Sequence, residues 1–190
     1  RLLAIMEPPQ ANFYTWAPEL GLFGKWPAQD RVQGLEDLAR SCAGQSVLDL
    51  GCADGMVSRY FLEHGAARVD GFDSDEARAS LAKWVCRDFR HAAFRTADLS
   101  DWDAFQRDGH ELRDSYDIVL YLGLHHHLPP HCRLGSLVGA AKRALRWFAL
   151  RTPQAEFHAG GIAQALDAVG LTLTTTDGAG EQTGRGALYV

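Results

Sequence analysis

The sequence predicts an α/β fold, a three-layer sandwich in which helices cover both faces of a mostly parallel sheet. Val47-Leu-Asp-Leu50 has the bulk of a buried strand and stops abruptly at Gly51-Cys-Ala-Asp54-Gly55. Met56-Val-Ser-Arg-Tyr-Phe-Leu62 then carries apolar residues at helical spacing. A second short strand, Ala67–Asp73, ends in an acid 22 residues beyond Gly51, the distance over which a strand–helix–strand unit returns to the first loop. The chain of 190 residues suffices for one such core, so a single domain over 1–190 is expected.

The elements follow in order. Residues 7–29 are rich in Pro and aromatic side chains and read as a leader over the ligand-binding end, and 31–41 as a helix before the first strand. Together, residues 1–44 form a leader and helix packed on the core. Strands are expected at 46–50, 67–72, 92–96, 116–122, 147–151, 171–176 and 186–190, and helices near 56–64, 75–90, 131–146 and 159–169. No internal repeat or low-complexity linker divides them.

Strand, glycine loop and helix in this order place backbone N–H groups at the end of a parallel sheet, where open α/β proteins hold ligands. The spacing Asp49-x-Gly51-x-x-x-Gly55 resembles the first motif of class I S-adenosylmethionine-dependent methyltransferases. It departs from the Gly-x-Gly-x-x-Gly fingerprint of dinucleotide binders. Asp73 matches the second motif, an acid that accepts ribose hydroxyls. Phe94–Leu99 resembles the third, where Asp98 approaches the adenine amino group. Ser115–Leu122, leading into Gly123-Leu-His-His-His127, resembles the fourth, with Asp117 as the acid that begins the strand. The resemblance implies a Rossmann-like sheet of seven strands with a final antiparallel insertion. It implies S-adenosylmethionine as cofactor, S-adenosylhomocysteine as product, and a cofactor set of Asp49, Gly51, Cys52, Ala53, Gly55, Asp73, Ser74, Asp98, Leu99 and Tyr121.

Several of these residues have a second reading. Asp49 either meets the cofactor's amino-acid end through water or steadies the loop amides. Asp54 caps the next helix or contacts ligand, and Asp73 serves the ribose or caps the helix before Glu76. Asp98 stands where a strand enters a loop, a common place for acids.

His125, His126 and His127 follow the fourth strand and are the candidates for catalysis, with His126 the preferred proton acceptor. Three consecutive rings do not make a metal site, and none is expected. Their alternative is a loop whose rings bond to backbone. Tyr14 and Trp16 from the leader, Arg151 after the fifth strand and His158 beyond it are the substrate candidates; packing or a surface ion pair is the alternative for each. The expected reaction is methyl transfer to an oxygen or nitrogen of a small organic substrate. An RNA-modifying enzyme and a noncatalytic cofactor-binding scaffold are the alternatives. The motif Asn/Asp-Pro-Pro-Tyr of many nitrogen methyltransferases is absent.

Charge argues against a polyanionic partner: the net charge is -5, and the basic residues are scattered rather than run together. No aromatic–basic interleaving suggests a platform for single strands. No apolar run is long enough for a membrane span, and the apolar start, Leu2–Met6, is shorter than the core of a signal peptide. Four separated cysteines fit neither a zinc ribbon nor a disulfide scaffold, and a reduced, cytoplasmic protein is expected. No sequence feature identifies a protein partner or an oligomeric state.

Overall fold

A computed structural model describes residues 15–108, 111–159, 161–172, 175–176 and 187–189. The described chain opens with a small sheet the sequence did not suggest. Strands β1 (Thr15–Ala17), β2 (Leu22–Phe23) and β3 (Trp26–Pro27) pair in the order β2-β1-β3. The helix expected at 31–41 is two short ones, α1 (Ala28–Val32) and α2 (Glu36–Arg40). Gln33 turns extended and Gly34 takes φ +82°, a conformation that breaks any helix running through it.

The main body alternates strand and helix: β4 (Ser46–Leu50), α3 (Met56–Glu63), β5 (Arg68–Asp73), α4 (Glu76–Val85), β6 (Ala92–Thr96), α5 (Trp102–Arg107) and β7 (Tyr116–Leu122). After a 3-10 turn at His125–His127 come α6 (Arg133–Ala141), β8 (Ala144–Thr152), α7 (Gln154–Ala159), α8 (Ile162–Asp167), β9 (Thr175–Thr176) and β10 (Ala187–Tyr189). The second sheet has seven strands in the order β6-β5-β4-β7-β8-β10-β9. β4 through β8 run parallel, and β10 lies antiparallel between β8 and β9. The architecture is therefore α/β and Rossmann-like but carries two sheets, and its strands are mixed in direction.

Alternating side chains sort the layers. Val47, Val69, Ile118, Leu120 and Ala149 pack with Phe61, Leu62, Leu81 and Val85 from α3 and α4. Leu48, Leu50, Phe72, Val119, Tyr121, Phe148 and Leu150 face the other way, onto Phe105, Leu137, Ile162 and Leu166 from α5, α6 and α8. Strands buried on both faces read as near-continuous apolar runs, which is why β4 and β7 stand out in the sequence.

The helices depart from expectation in several places. The helix expected at 131–146 stops at Ala141, because residues from Ala144 pair with β7, Ala144 opposite Tyr116. Helices α5 and α7 were not expected. The first is capped by Asp101, which accepts from the Ala104 N–H at 2.9 Å.

The sequence order of strands reverses between β4 and β7, since β5 and β6 lie to one side and β8 to the other. Ligands in open α/β sheets sit outside the carboxyl ends of the strands at such a switch point. Registry brings Leu50, Asp73, Thr96, Leu122 and Arg151 to that one edge. Asp117 lies at the opposite edge, where its Oδ2 accepts from both Ser46 N and Ser46 Oγ at 2.8 Å. These bonds hold its carboxyl below the usual range. It ties the first residues of β4 and β7 together and has no place in the chemistry.

Candidate active site

The loop after β4 is held by the neighbouring strand. Gly51 N–H and Cys52 N–H both donate to the Phe72 carbonyl, at 2.8 and 3.0 Å. Gly51 needs its φ of +75°, and a Cβ there would touch the Leu124 side chain at 3.4 Å. Ala53 also takes a positive φ, +50°, a conformation that costs a residue with a Cβ about 1–3 kcal/mol. The loop keeps it because Ala53 N–H donates to Asp73 Oδ2 at 2.9 Å.

Asp73 is thus the hinge of the site. Its Oδ1 accepts from Asp75 N–H at 3.0 Å, and Asp75 rather than Asp73 caps α4. A carboxylate offers about four lone-pair positions, so two remain for a diol at the cavity wall. Asp98, exposed on the loop after β6, accepts from Ser100 N–H at 2.8 Å, which holds its carboxyl below the usual range.

Asp49 and Asp54 lie beneath the loop. Ser58 Oγ donates to Asp49 Oδ2 at 2.6 Å. Burial nevertheless pushes the Asp49 carboxyl up to about 6, with Ser58 and Arg31 acting against that and Asp73 and Asp54 reinforcing it. Asp54 is 1% exposed, and neither of its carboxylate oxygens has a hydrogen-bond partner. It does not cap α3, whose N-cap is Gly55 without any side-chain bond.

The loop after β4 and Asp73 border a cavity of about 570 Å³, within the usual range for small-ligand sites. Gly51, Ala53, Asp73, Ser74, Asp98 and Leu99 line one half. The other half is lined by Trp26, Arg31, Leu122, Gly123, Leu124, His126, His127, Leu128, Arg151 and Pro153, while Val57 and Arg78 complete the wall.

Four expected cofactor residues do not line it. Asp49 and Cys52 are buried below the loop, and Gly55 is the left-handed residue that lets α3 approach Ala82 of α4. Tyr121 is fully buried, its hydroxyl donating to Ser136 Oγ at 3.2 Å. They shape the site from underneath.

Among the histidines, His125 is buried with its ring 6.4 Å from that of Tyr121 and does not reach the cavity. His126 and His127 do, their rings 4.1 Å apart. Burial holds the imidazoles of His125 and His126 below the usual range and so favours their neutral forms. Trp16 is 48% exposed, stacks edge-on against Phe23 and does not line the cavity. Tyr14 lies outside the described residues. His158 is within α7, but its side chain lies outside them too. Arg151 lines the cavity, yet two of its nitrogens donate to main-chain carbonyls, Arg31 O at 3.0 Å and Gln33 O at 2.6 Å. No group of His, Cys, Asp and Glu that would hold a metal ion occurs among the described residues.

Residues 48–150, over half of the chain, match a family model described as a methyltransferase domain. The chain belongs to that family. Two solved structures share the fold of this domain. One is the magnesium protoporphyrin IX methyltransferase of Synechocystis PCC 6803 with bound S-adenosylmethionine, at 19% identity and TM-score 0.63, covering 90% of this chain and 85% of that one. The other is a TehB-like S-adenosylmethionine-dependent methyltransferase from Corynebacterium glutamicum, at 19% identity and TM-score 0.62, covering 84% of each chain. The nodulation protein NoeA of Rhizobium meliloti is 29% identical over 106 residues, which are 52% of this chain and 22% of that protein. The chain therefore spans about a fifth of that relative's length.

The residues present fit the family's cofactor. A diol acceptor at Asp73 and an acid at Asp98, both on the cavity wall, suit a nucleoside with free ribose hydroxyls and an amino-bearing base. Trp26, from the aromatic leader expected over the ligand-binding end, and Arg31, whose place the sequence left unspecified, both line the wall. The small sheet and α1 carry them there, and the one local signal was the aromatic residue before Pro27 and a helix.

Proposed function

We propose that this methyltransferase transfers a methyl group from S-adenosylmethionine to an oxygen or nitrogen of a small organic substrate, at the His126 end of the cavity. The observation that carries this reading is the pairing within one cavity of an Asp73 with spare acceptor positions and His126, whose partial burial favours the neutral ring. When bound, the cofactor supplies an electrophilic methyl group with a neutral thioether as leaving group. Asp73 takes its ribose hydroxyls, and Asp98 lies at the adenine side. Trp26, Leu124, Leu128 and Pro153 supply apolar walls that exclude water and hold the acceptor in line, a placement effect that needs no covalent enzyme intermediate. His126 accepts the proton that an O–H or N–H acceptor loses as its new bond to carbon forms. Arg151 serves as a strut for the segment around Arg31.

The test is a panel of small alcohols, phenols, amines and carboxylic acids, with RNA as a separate arm, incubated with methyl-labelled cofactor. Label transfer to a small compound, with stoichiometric S-adenosylhomocysteine, is the expected result. Transfer to RNA alone would replace this reading with the RNA-modifying one. Cofactor binding with no transfer to any acceptor class would favour a scaffold.

A further inference from the structure

Arg133, the first residue of α6, spends one guanidinium on three partners. Its Nε donates to Leu128 O at 2.8 Å, one terminal nitrogen to His126 O at 3.1 Å, and the other to Glu156 Oε2 at 3.0 Å. The first two carbonyls flank His127, so the guanidinium clasps the 3-10 turn that carries the cavity's two histidines. The third bond ties that clasp to α7, beyond the end of β8. Otherwise the turn is held by two backbone bonds, His127 N–H to Leu124 O at 3.0 Å and Leu128 N–H to His125 O at 3.3 Å.

We propose that Arg133, anchored by Glu156, is a positioning residue that holds the His126 ring at the acceptor wall of the cavity. The inference rests on His126 being the acceptor-side base. A planar guanidinium suits the task, because its fixed fork reaches two carbonyls and a carboxylate at once. Neither side chain lines the cavity, so both act through the turn. The charged groups felt by His126 are His127 and Arg133, which disfavour its protonation, and Glu156, which favours it. Arg31 and Arg151 share the cavity wall with it.

The opposed signs make the test specific. The His126 ring titration is followed by NMR in the full chain, assigned with H126A, and amide exchange of His127 and Leu128 is measured beside it. R133M should move the His126 midpoint upward and E156Q should move it downward. R133K keeps the charge and loses the fork, so its midpoint should stay near that of the parent. Amide exchange at 127 and 128 should nevertheless quicken about tenfold or more in R133K, as expected when charge-assisted bonds are lost. S-adenosylhomocysteine affinity should stay within about twofold throughout, since the pair touches none of the cofactor-side residues.

Midpoints moving in the same direction for R133M and E156Q, or unchanged exchange in both Arg133 variants, would overturn the proposal. So would a large loss of S-adenosylhomocysteine affinity. E156Q stands as an independent test should R133M not fold. If these shifts occur while H126A transfers methyl to the panel's acceptor at the parent rate, the positioning stands and the base assignment fails.

Discussion

Asp49 is a carboxyl whose neighbours pull its charge in opposite directions. Burial raises it to about 6, and only Ser58 and Arg31 favour the ionised form. Its folded value lies above the ordinary 3.8, so the folded state holds the proton more tightly than the unfolded chain. The stability this contributes is fully present below about pH 4 and is lost as pH rises through 6, up to about 3 kcal/mol. Denaturant unfolding between pH 4 and 7.5 should show that decline, and D49N should flatten it; parallel curves would show that Asp49 is not the group responsible. Asp73 makes a second prediction. In D73N one oxygen becomes a donor, which cannot serve Ala53 N–H and a ribose hydroxyl alike. Calorimetry should then show S-adenosylhomocysteine binding weakened about 10- to 100-fold, the worth of one or two charge-assisted bonds. Asp73 was legible because sequence spacing alone carries a strand tip to the first loop. Arg31 was not: it reaches the cavity through a contact 120 residues away in the chain.

At the level of elements, α3 and α4 are packed so closely that no side chain fits between them at Gly55. A Cβ there would lie 2.8 Å from the Ala82 Cβ and 2.9 Å from its Cα, on a backbone already at φ +77°. Neither atom belongs to a flexible side chain that might swing away. G55A should therefore cost about 2–4 kcal/mol, read as a lowered denaturation midpoint with the slope unchanged. The glycines of this loop were legible as a sharp turn, and the helix–helix contact behind Gly55 was not. The buried strands were read from sequence almost to the residue, because both of their faces must be apolar. Where local pattern competed with pairing, it lost. Leu145-Arg146 continues a helical run in the sequence, yet strand pairing with β7 claims it and leaves Leu145 exposed. α5 had a readable start in Asp101 and a readable face in Trp102 and Phe105, but it is too short for periodicity to declare it.

On the scale of the molecule, the sheet supplies one wall of the cavity, and the segment before it in sequence supplies another. Arg151 joins them, since its guanidinium reaches from the end of β8 to the carbonyls of Arg31 and Gln33, at the end of α1 and just past it. β8 itself is secured by its pairing with β7 over most of its length, so removing the guanidinium should not unravel the sheet. R151M should act on the α1 wall instead. Each lost bond to a charged donor is worth about 1.5–3 kcal/mol, enough to raise local opening at residues 28–33 well over tenfold. Hydrogen exchange should quicken there and stay unchanged in β4, β5 and β7. Because Trp26 and Arg31 line the cavity, S-adenosylhomocysteine should also dissociate faster, with a smaller change in its association rate. Faster exchange spread evenly over both sheets would mean that Arg151 supports the core. Unchanged exchange at 28–33 would mean that the α1 segment holds its place without the strut.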